Sequence, residues 1–237
     1  MRILVIAAHP DDEVLGMGGT IKKHAKKDDD VKIMIMATGI NARRSINYKN
    51  SSRYFVDKKI SQTMEKQVMN LRKNAVQSSK ILGAKQIQFM DFPDNEMDTV
   101  SLLEVTKTIE KHIEEFNAEI VYTHSNYDIN IDHQVCYNAT IIATRPRKNY
   151  SVKKVISFEV ASSTEWYFPS KFSPNIFVDI SKEMTTKLKA LKIYKQELRD
   201  FPHPRSLEAI EAISKRWGSL SGFKNAEAFC LVRELTS

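Results

Sequence analysis

The chain has 237 residues, 42% of them hydrophobic and 27% charged, with 36 Lys and Arg against 29 Asp and Glu for a net charge of +7. That length suits one α/β domain with a substantial core. No apolar run approaches the roughly 20 residues that span a bilayer, and the run 1–8 meets charge too soon to act as a signal peptide; a cytoplasmic protein is expected. Cys136 and Cys230 lack metal-type spacing, so free buried thiols are expected rather than a disulfide framework or a Cys zinc site. Lys and Arg are spread along the chain without an aromatic-interleaved basic motif, which argues against nucleic acid as a partner.

In chain order, residues 2–7 form an Ile- and Val-rich run of the kind found inside parallel sheets, and it ends in His9-Pro10-Asp11-Asp12-Glu13. Gly16, Gly18 and Gly19 resemble a dinucleotide fingerprint only loosely. They lie too far from the strand, and carboxylates fill the turn where a pyrophosphate needs bare amides. A second strand is predicted over 31–37. The stretch from Gly39 to about Ile60 then loses periodicity and should emerge as a lid on the same rim as His9. Within 41–60, Arg43, Arg44, Lys49, Arg53, Lys58 and Lys59 face only Asp57, a bias that can guide an anionic substrate or simply line a solvated loop.

A helix is predicted over 61–82, stopped by Gly83, and a third strand over 87–92. Ser101 with Glu104 forms a capping-box pattern, followed by Leu102, Val105, Ile109 and Phe116 at helical spacing. Further strands are predicted over 119–123, 154–160 and 176–180, and a helix over 181–198 carrying Met184, Leu188, Leu191 and Leu198. Pro202 and Pro204 bracket His203 and restrain the backbone on both sides of it. Strands alternating with helices predict a Rossmann-like, doubly wound α/β fold with a mainly parallel sheet and a C-terminal helical extension, as one domain over 1–237.

An imidazole and a carboxylate three positions apart in one tight turn can close on a single divalent ion, because both are ordinary zinc ligands. In a sheet of order 3-2-1-4-5, strands one and four are neighbours whose connections leave on opposite faces, opening a crevice between them. His133 follows the fourth strand closely, so His9, Asp12 and His133 can converge there. Three ligands with an open fourth place is the arrangement of a catalytic zinc site.

Ala8 to Glu13 read A-H-P-D-D-E, and Asn130-Ile131-Asp132-His133 half-matches a second landmark, H-P-D-H. On these, and on Asp91-Phe92-Pro93-Asp94, Ser163-Thr164-Glu165-Trp166 and Phe201-Pro202-His203-Pro204-Arg205-Ser206, the chain resembles the LmbE-like, or PIG-L, zinc-dependent N-deacetylases over nearly its whole length. The resemblance implies Zn²⁺ on His9, Asp12 and His133, with Asp11 as the general base and then the proton source for the departing amine. The implied substrate is a small N-acetylglucosamine-type amino sugar. The basic segment favours a phosphorylated or nucleotide-linked form.

Asn130 departs from the family, where many relatives carry a histidine proposed to steady the oxyanion; an amide can donate a hydrogen bond but cannot be a cation. His203 is the candidate to compensate, from the same chain or from a neighbour, and the second case requires a homo-oligomer. Arg72 and Asp94 fall where the family places residues touching sugar hydroxyls, and His124 is expected on the rim, against substrate. Asp132 is expected to brace a ligand or loop backbone, and Glu13 to orient a ligand or cap the next helix. Glu165 and Trp166 shape a carbohydrate platform or pack in the core, and His24 and His112 are expected to be solvated or at the core edge. The alternatives to an N-acetyl hydrolase are an amidase of glucosamine–thiol conjugates and a noncatalytic sugar-binding protein that keeps the fold.

Overall fold

Strand β1 (Arg2–Ala7) and strand β2 (Asp30–Ala37) are apolar on both faces and buried along nearly their full length, as strands covered by helices on each side must be. The computed structural model describes residues 1–37, 58–148 and 150–236. The lid expected between Gly39 and Ile60 therefore lies outside the described residues as far as 57, and residues 58–60 instead open a helix.

The remaining strands are β3 (Gln86–Phe92), β4 (Ile120–His124), β5 (Lys154–Phe158), β6 (Ile176–Asp179) and β7 (Ala226–Glu234), joined in one seven-stranded sheet of order β3-β2-β1-β4-β5-β7-β6. The first five pair in parallel, and β7 runs antiparallel between β5 and β6. The predicted order 3-2-1-4-5 is thus present, extended by a strand with no sequence counterpart above. The helices are α1 (Asp12–Lys26), α2 (Lys58–Leu82), α3 (Leu102–Phe116), α4 (Ile131–Ala143), α5 (Met184–Leu191) and α6 (Leu207–Ser221).

Alternation along β1 divides the interior in two. Ile3, Val5 and Ala7 face a core shared with Val14, Ile21, Leu71 and Leu191, whereas Leu4, Ile6 and Ala8 face one shared with Val105, Ile109, Ile113 and Ala139. Helices α1, α2 and α5 thus cover one face and α3 and α4 the other. Because β1 and β4 are neighbours, the turns leaving their C-terminal ends open onto the same crevice.

Several local expectations need correction. Lys192–Tyr194 tightens into a 3-10 turn, so the predicted helix over 181–198 ends early as α5; the tighter turn places buried Tyr194 with its hydroxyl 2.7 Å from Glu13 Oε1. Strand β5 stops at Phe158, because Val160 N–H turns to the Thr164 hydroxyl instead of a ladder partner. Ser101 occupies the N-cap of α3 without a side-chain cap hydrogen bond, so the capping box is not formed. Cys136 is buried as expected, but Cys230 is half-exposed. Gly16 reflects close packing: a Cβ there would lie 2.4 Å from Phe158 Cδ2 and 2.9 Å from the Glu159 carbonyl oxygen, so its absence lets α1 seat against the end of β5.

Beside that contact, Glu159 accepts a hydrogen bond from the Trp217 indole. Burial pushes its carboxyl up to about 7, from 4.5. Between those values the folded chain holds a proton that the unfolded chain has released, so this group's contribution to stability falls as pH rises through the window. Glu159→Gln is expected to raise Tm relative to wild type at pH 8 and to leave it unchanged near pH 4.5, measured by thermal denaturation at both. Equal shifts at the two values would show that ionisation of Glu159 is not the cause.

Candidate metal centre

After β1, Pro10 and Asp11 turn the chain sharply. Asp11 takes a left-handed conformation with φ 106°, costly for a residue other than glycine. The turn folds Asp12 back so that its Oδ2 accepts the His9 backbone N–H at 2.8 Å. From the neighbouring connection, Asn130 caps α4 and sets His133 in its first turn. Nδ1 of His9 then lies 3.3 Å from Asp12 Oδ2, and Nε2 of His133 lies 3.1 Å from the same atom.

These three groups fit a metal ion. One donor atom from each of His9, Asp12 and His133 falls within 4.8 Å of the others, and Asp12 Oδ1 and His133 Nε2 are buried without a hydrogen-bond partner. Each imidazole is backed by carboxylate on its far nitrogen: His9 Nε2 is 2.9 Å from Asp132 Oδ2 and 3.1 Å from Asp94 Oδ1, and His133 Nδ1 is 3.0 Å from Asp128 Oδ2. A proton held toward those acids leaves the near nitrogen's lone pair facing Asp12, the orientation that metal-binding histidines need. Two nitrogens and a carboxylate oxygen suit zinc and leave a fourth place for water.

The charges of the three groups are strongly interdependent. Burial disfavours charge on all three groups, but the carboxylates Asp12, Asp132 and Asp94 hold His9 well above its ordinary value, and Asp12 with Asp128 hold His133 up at about 9. Against the same burial, the two imidazoles hold the Asp12 carboxyl well below the usual range.

Asp11 points elsewhere, with Oδ2 accepting from Arg205 Nη1 at 2.9 Å and Oδ1 buried without a donor. Burial raises its carboxyl to about 7, with Asp12 and Glu13 adding to the rise and Arg205 opposing it. Glu13 is buried under the turn, accepting from Tyr194 Oη and from the Asp11 N–H at 3.0 Å, so it braces the loop. Asp132 also braces a loop, taking the N–H groups of Asn95 at 2.6 Å and Met97 at 3.0 Å besides facing His9.

The other expected site residues divide. Asp94 is buried behind His9. Asn130 spends its Oδ1 on the N–H groups of Asp132 and His133, and its amide donates to Asn95 at 3.1 Å. The expectation for His124 is corrected: it is fully buried, Nε2 accepting the Ala8 N–H at 2.7 Å, its ring stacked on His133 at 3.9 Å between centroids. It packs beneath His133 and not on the rim. Arg72 pairs with Asp91 at the end of β3 and lies over the Phe89 ring. His203 packs against the edge of Trp166, with Nδ1 accepting the Arg205 N–H at 3.1 Å. Glu165 accepts from the N–H groups of Ser162 and Ser163 and so serves the loop, while Trp166 is 41% exposed.

Asp128, Ser163, Thr164 and Arg205 carry contacts that the sequence did not single out. Asp128 accepts from Ser163 Oγ, from Thr164 Oγ1 at 2.7 Å and from the Asn130 N–H at 2.8 Å, which aims its Oδ2 at His133. An acid two residues before a helix cap was the available signal for Asp128. Arg205 lay within a quoted motif, but nothing local indicated its partner 194 positions away.

The PIG-L family, described as GlcNAc-PI de-N-acetylase, matches residues 4–144. The chain belongs to that family. It is a deacetylase of a zinc-dependent hydrolase family. It is 27% identical to the diacetylchitobiose deacetylase of Thermococcus kodakarensis, over 98% of this chain and 83% of that protein. It is 30% identical to the uncharacterized deacetylase YaiS of Escherichia coli, over 81% and 90% respectively. Among solved structures, N,N'-diacetylchitobiose deacetylase from Pyrococcus horikoshii superposes with TM-score 0.76 at 22% identity, covering 98% of this chain and 84% of that one. A hydratase, GalB from Pseudomonas putida, superposes with TM-score 0.77 at 18% identity, covering 100% and 98%, and shows how far the fold extends beyond one reaction. Among the described residues, no helix is long and apolar enough to cross a membrane.

If Asp128 orients His133 as the contacts imply, Asp128→Ala should weaken zinc binding by about 10- to 100-fold. Competition with a chelator measures this, and circular dichroism confirms the fold. Unchanged affinity would remove Asp128 from the support of the centre.

Proposed function

We propose that this deacetylase hydrolyses the acetamide of an N-acetylglucosamine-type amino sugar, with Zn²⁺ held by His9, Asp12 and His133. The observation that carries this reading is the pairing of a buried three-ligand cluster with a separate buried carboxylate, Asp11, whose Oδ1 has no hydrogen-bond donor. Zinc in that cluster supplies Lewis acidity and lowers the pKa of water toward neutrality.

Asp11 Oδ1 takes the proton of the attacking water and, carrying it, delivers it to the amine nitrogen as the C–N bond breaks, leaving acetate and a free amino sugar. Asp128, Asp132 and Asp94 hold the imidazoles in place throughout. A developing oxyanion needs a second donor. Asn130 is committed to its cap and to Asn95, whereas a neutral His203 that accepts at Nδ1 has a proton on Nε2 to donate. His203 is therefore assigned that role.

The test is acetate release from a panel of N-acetyl sugars by wild type, Asp11→Asn, His133→Ala and His203→Ala, with zinc measured in each. Asp11→Asn is expected to keep zinc and lose at least about 100-fold in kcat. His133→Ala should lose zinc, and His203→Ala should keep it with a reduced kcat. Acetate release by Asp11→Asn at the wild-type rate would sink the base assignment, and zinc-bound wild type that releases no acetate would favour a sugar-binding protein.

The basic residues in 41–60 support a phosphate-bearing substrate. At low ionic strength, kcat/KM for N-acetylglucosamine 1-phosphate is expected to exceed that for N-acetylglucosamine by about tenfold, with the gap closing as salt is added. Equal values would remove the support that the charge pattern gives.

A further inference from the structure

Arg205 joins the last third of the chain to the turn after β1. Its Nη1 donates to Asp11 Oδ2 at 2.9 Å, its Nε donates to Ser162 Oγ at 2.8 Å, and its backbone N–H donates to His203 Nδ1 at 3.1 Å. The next residue, Ser206, caps α6 by accepting the Ala209 N–H at 3.0 Å, so the backbone that carries the arginine is fixed by a helix start. Glu197 stands further off, its Oε2 3.9 Å from Nη1.

Asp11 occupies the N-cap position of α1, where a carboxylate ordinarily accepts an N–H of the first turn. Here the side chain makes no such cap bond. It is instead held by the guanidinium, and among the described residues Arg205 is its side-chain donor. The amides at the start of α1 are engaged elsewhere, Asp12 N–H with the His9 carbonyl at 3.3 Å and Val14 and Leu15 N–H with the Asp11 carbonyl at 3.0 and 2.9 Å, so the guanidinium is what fixes the direction of the carboxylate. The next two residues, Asp12 and Glu13, are buried acids as well, each with partners of its own: His9 and His133 for Asp12, Tyr194 and the Asp11 N–H for Glu13.

We propose that Arg205 is the positioning residue of the general base: it holds Asp11 by Oδ2, so that Oδ1 is the atom presented to water. This rests on the reading of Asp11 as the base. An arginine suits the task better than a lysine because its rigid fork reaches two acceptors on different segments at once, Asp11 and Ser162.

The test uses zinc-loaded full-length chain and the best substrate of the panel above, comparing Arg205→Ala, Arg205→Lys, Asp11→Asn and the double variant Arg205→Ala/Asp11→Asn. Arg205→Ala is expected to lower kcat by about 100-fold with KM changed less than about threefold, since misplacing a reacting group costs rate rather than binding. Zinc content should stay at the wild-type level. Arg205→Lys should fall between, and added guanidinium should restore part of the rate to Arg205→Ala but none to Asp11→Asn.

Because the arginine acts through the aspartate, the double variant should be no slower than Asp11→Asn alone. A crystal structure of Arg205→Ala should show the Asp11 carboxylate displaced from its wild-type orientation. Any of three results overturns the proposal: wild-type kcat in Arg205→Ala, a rate loss that multiplies with that of Asp11→Asn, or loss of zinc and thermal stability in both Arg205 variants. Full activity in Asp11→Asn overturns the base reading itself, which is distinct from an impaired Asp11→Asn beside an unaffected Arg205→Ala.

Discussion

A single carboxylate oxygen, Oδ2 of Asp12, sits fully buried within 3.3 Å of Nδ1 of His9 and 3.1 Å of Nε2 of His133. Packing these polar groups together away from water costs several kcal/mol per charge unless a cation compensates. The three groups offset one another in part, the carboxylates holding His9 and His133 up and the imidazoles holding Asp12 down. A divalent ion would bring two positive charges to one point among the same groups. Much of the surrounding structure serves this arrangement: Asp132 and Asp94 behind one imidazole, Asp128 behind the other, and the buried ring of His124 beneath.

The sheet makes the convergence possible, because β1 and β4 lie side by side and release their following turns into one crevice. The cap at Asn130 and the left-handed turn at Asp11 then set the angles at which His133 and Asp12 enter it. Family similarity covers residues 4–144 and so includes the metal-binding turns. The remainder of the chain brings Ser163 and Thr164 to Asp128, Tyr194 to Glu13 and Arg205 to Asp11. The C-terminal third therefore finishes a site whose donor atoms all come from the first two-thirds.

The two buried acids of the turn have different environments, and their chemistry diverges accordingly. Asp12 is held ionised by imidazoles, while Asp11, one residue earlier, is raised to about 7 by burial despite the guanidinium beside it. Adjacent residues of the same type thereby differ in how readily each holds a proton. The hydratase GalB shares the fold, so the sheet by itself does not fix the reaction.

The sequence by itself determined the parallel core and the motif. The buried runs of β1, β2 and β4 read directly as apolar segments, and His9, Asp12 and His133 were legible because each sits just past such a run, where side chains meet the crevice. Strand β7 was not legible: Ala226–Glu234 mixes charged and apolar residues, and only its antiparallel place between β5 and β6 makes it a strand. The helix predicted over 181–198 failed because helical periodicity cannot register the pull of Tyr194 toward Glu13, 181 positions earlier. Tertiary structure alone decided that His124 is buried under His133, that Asn130 is spent on a helix cap, and that Arg205 meets Asp11. Local pattern encodes which face of an element is apolar, whereas the partner of a buried polar atom is chosen by contacts between distant segments, and a single sequence carries no local trace of them.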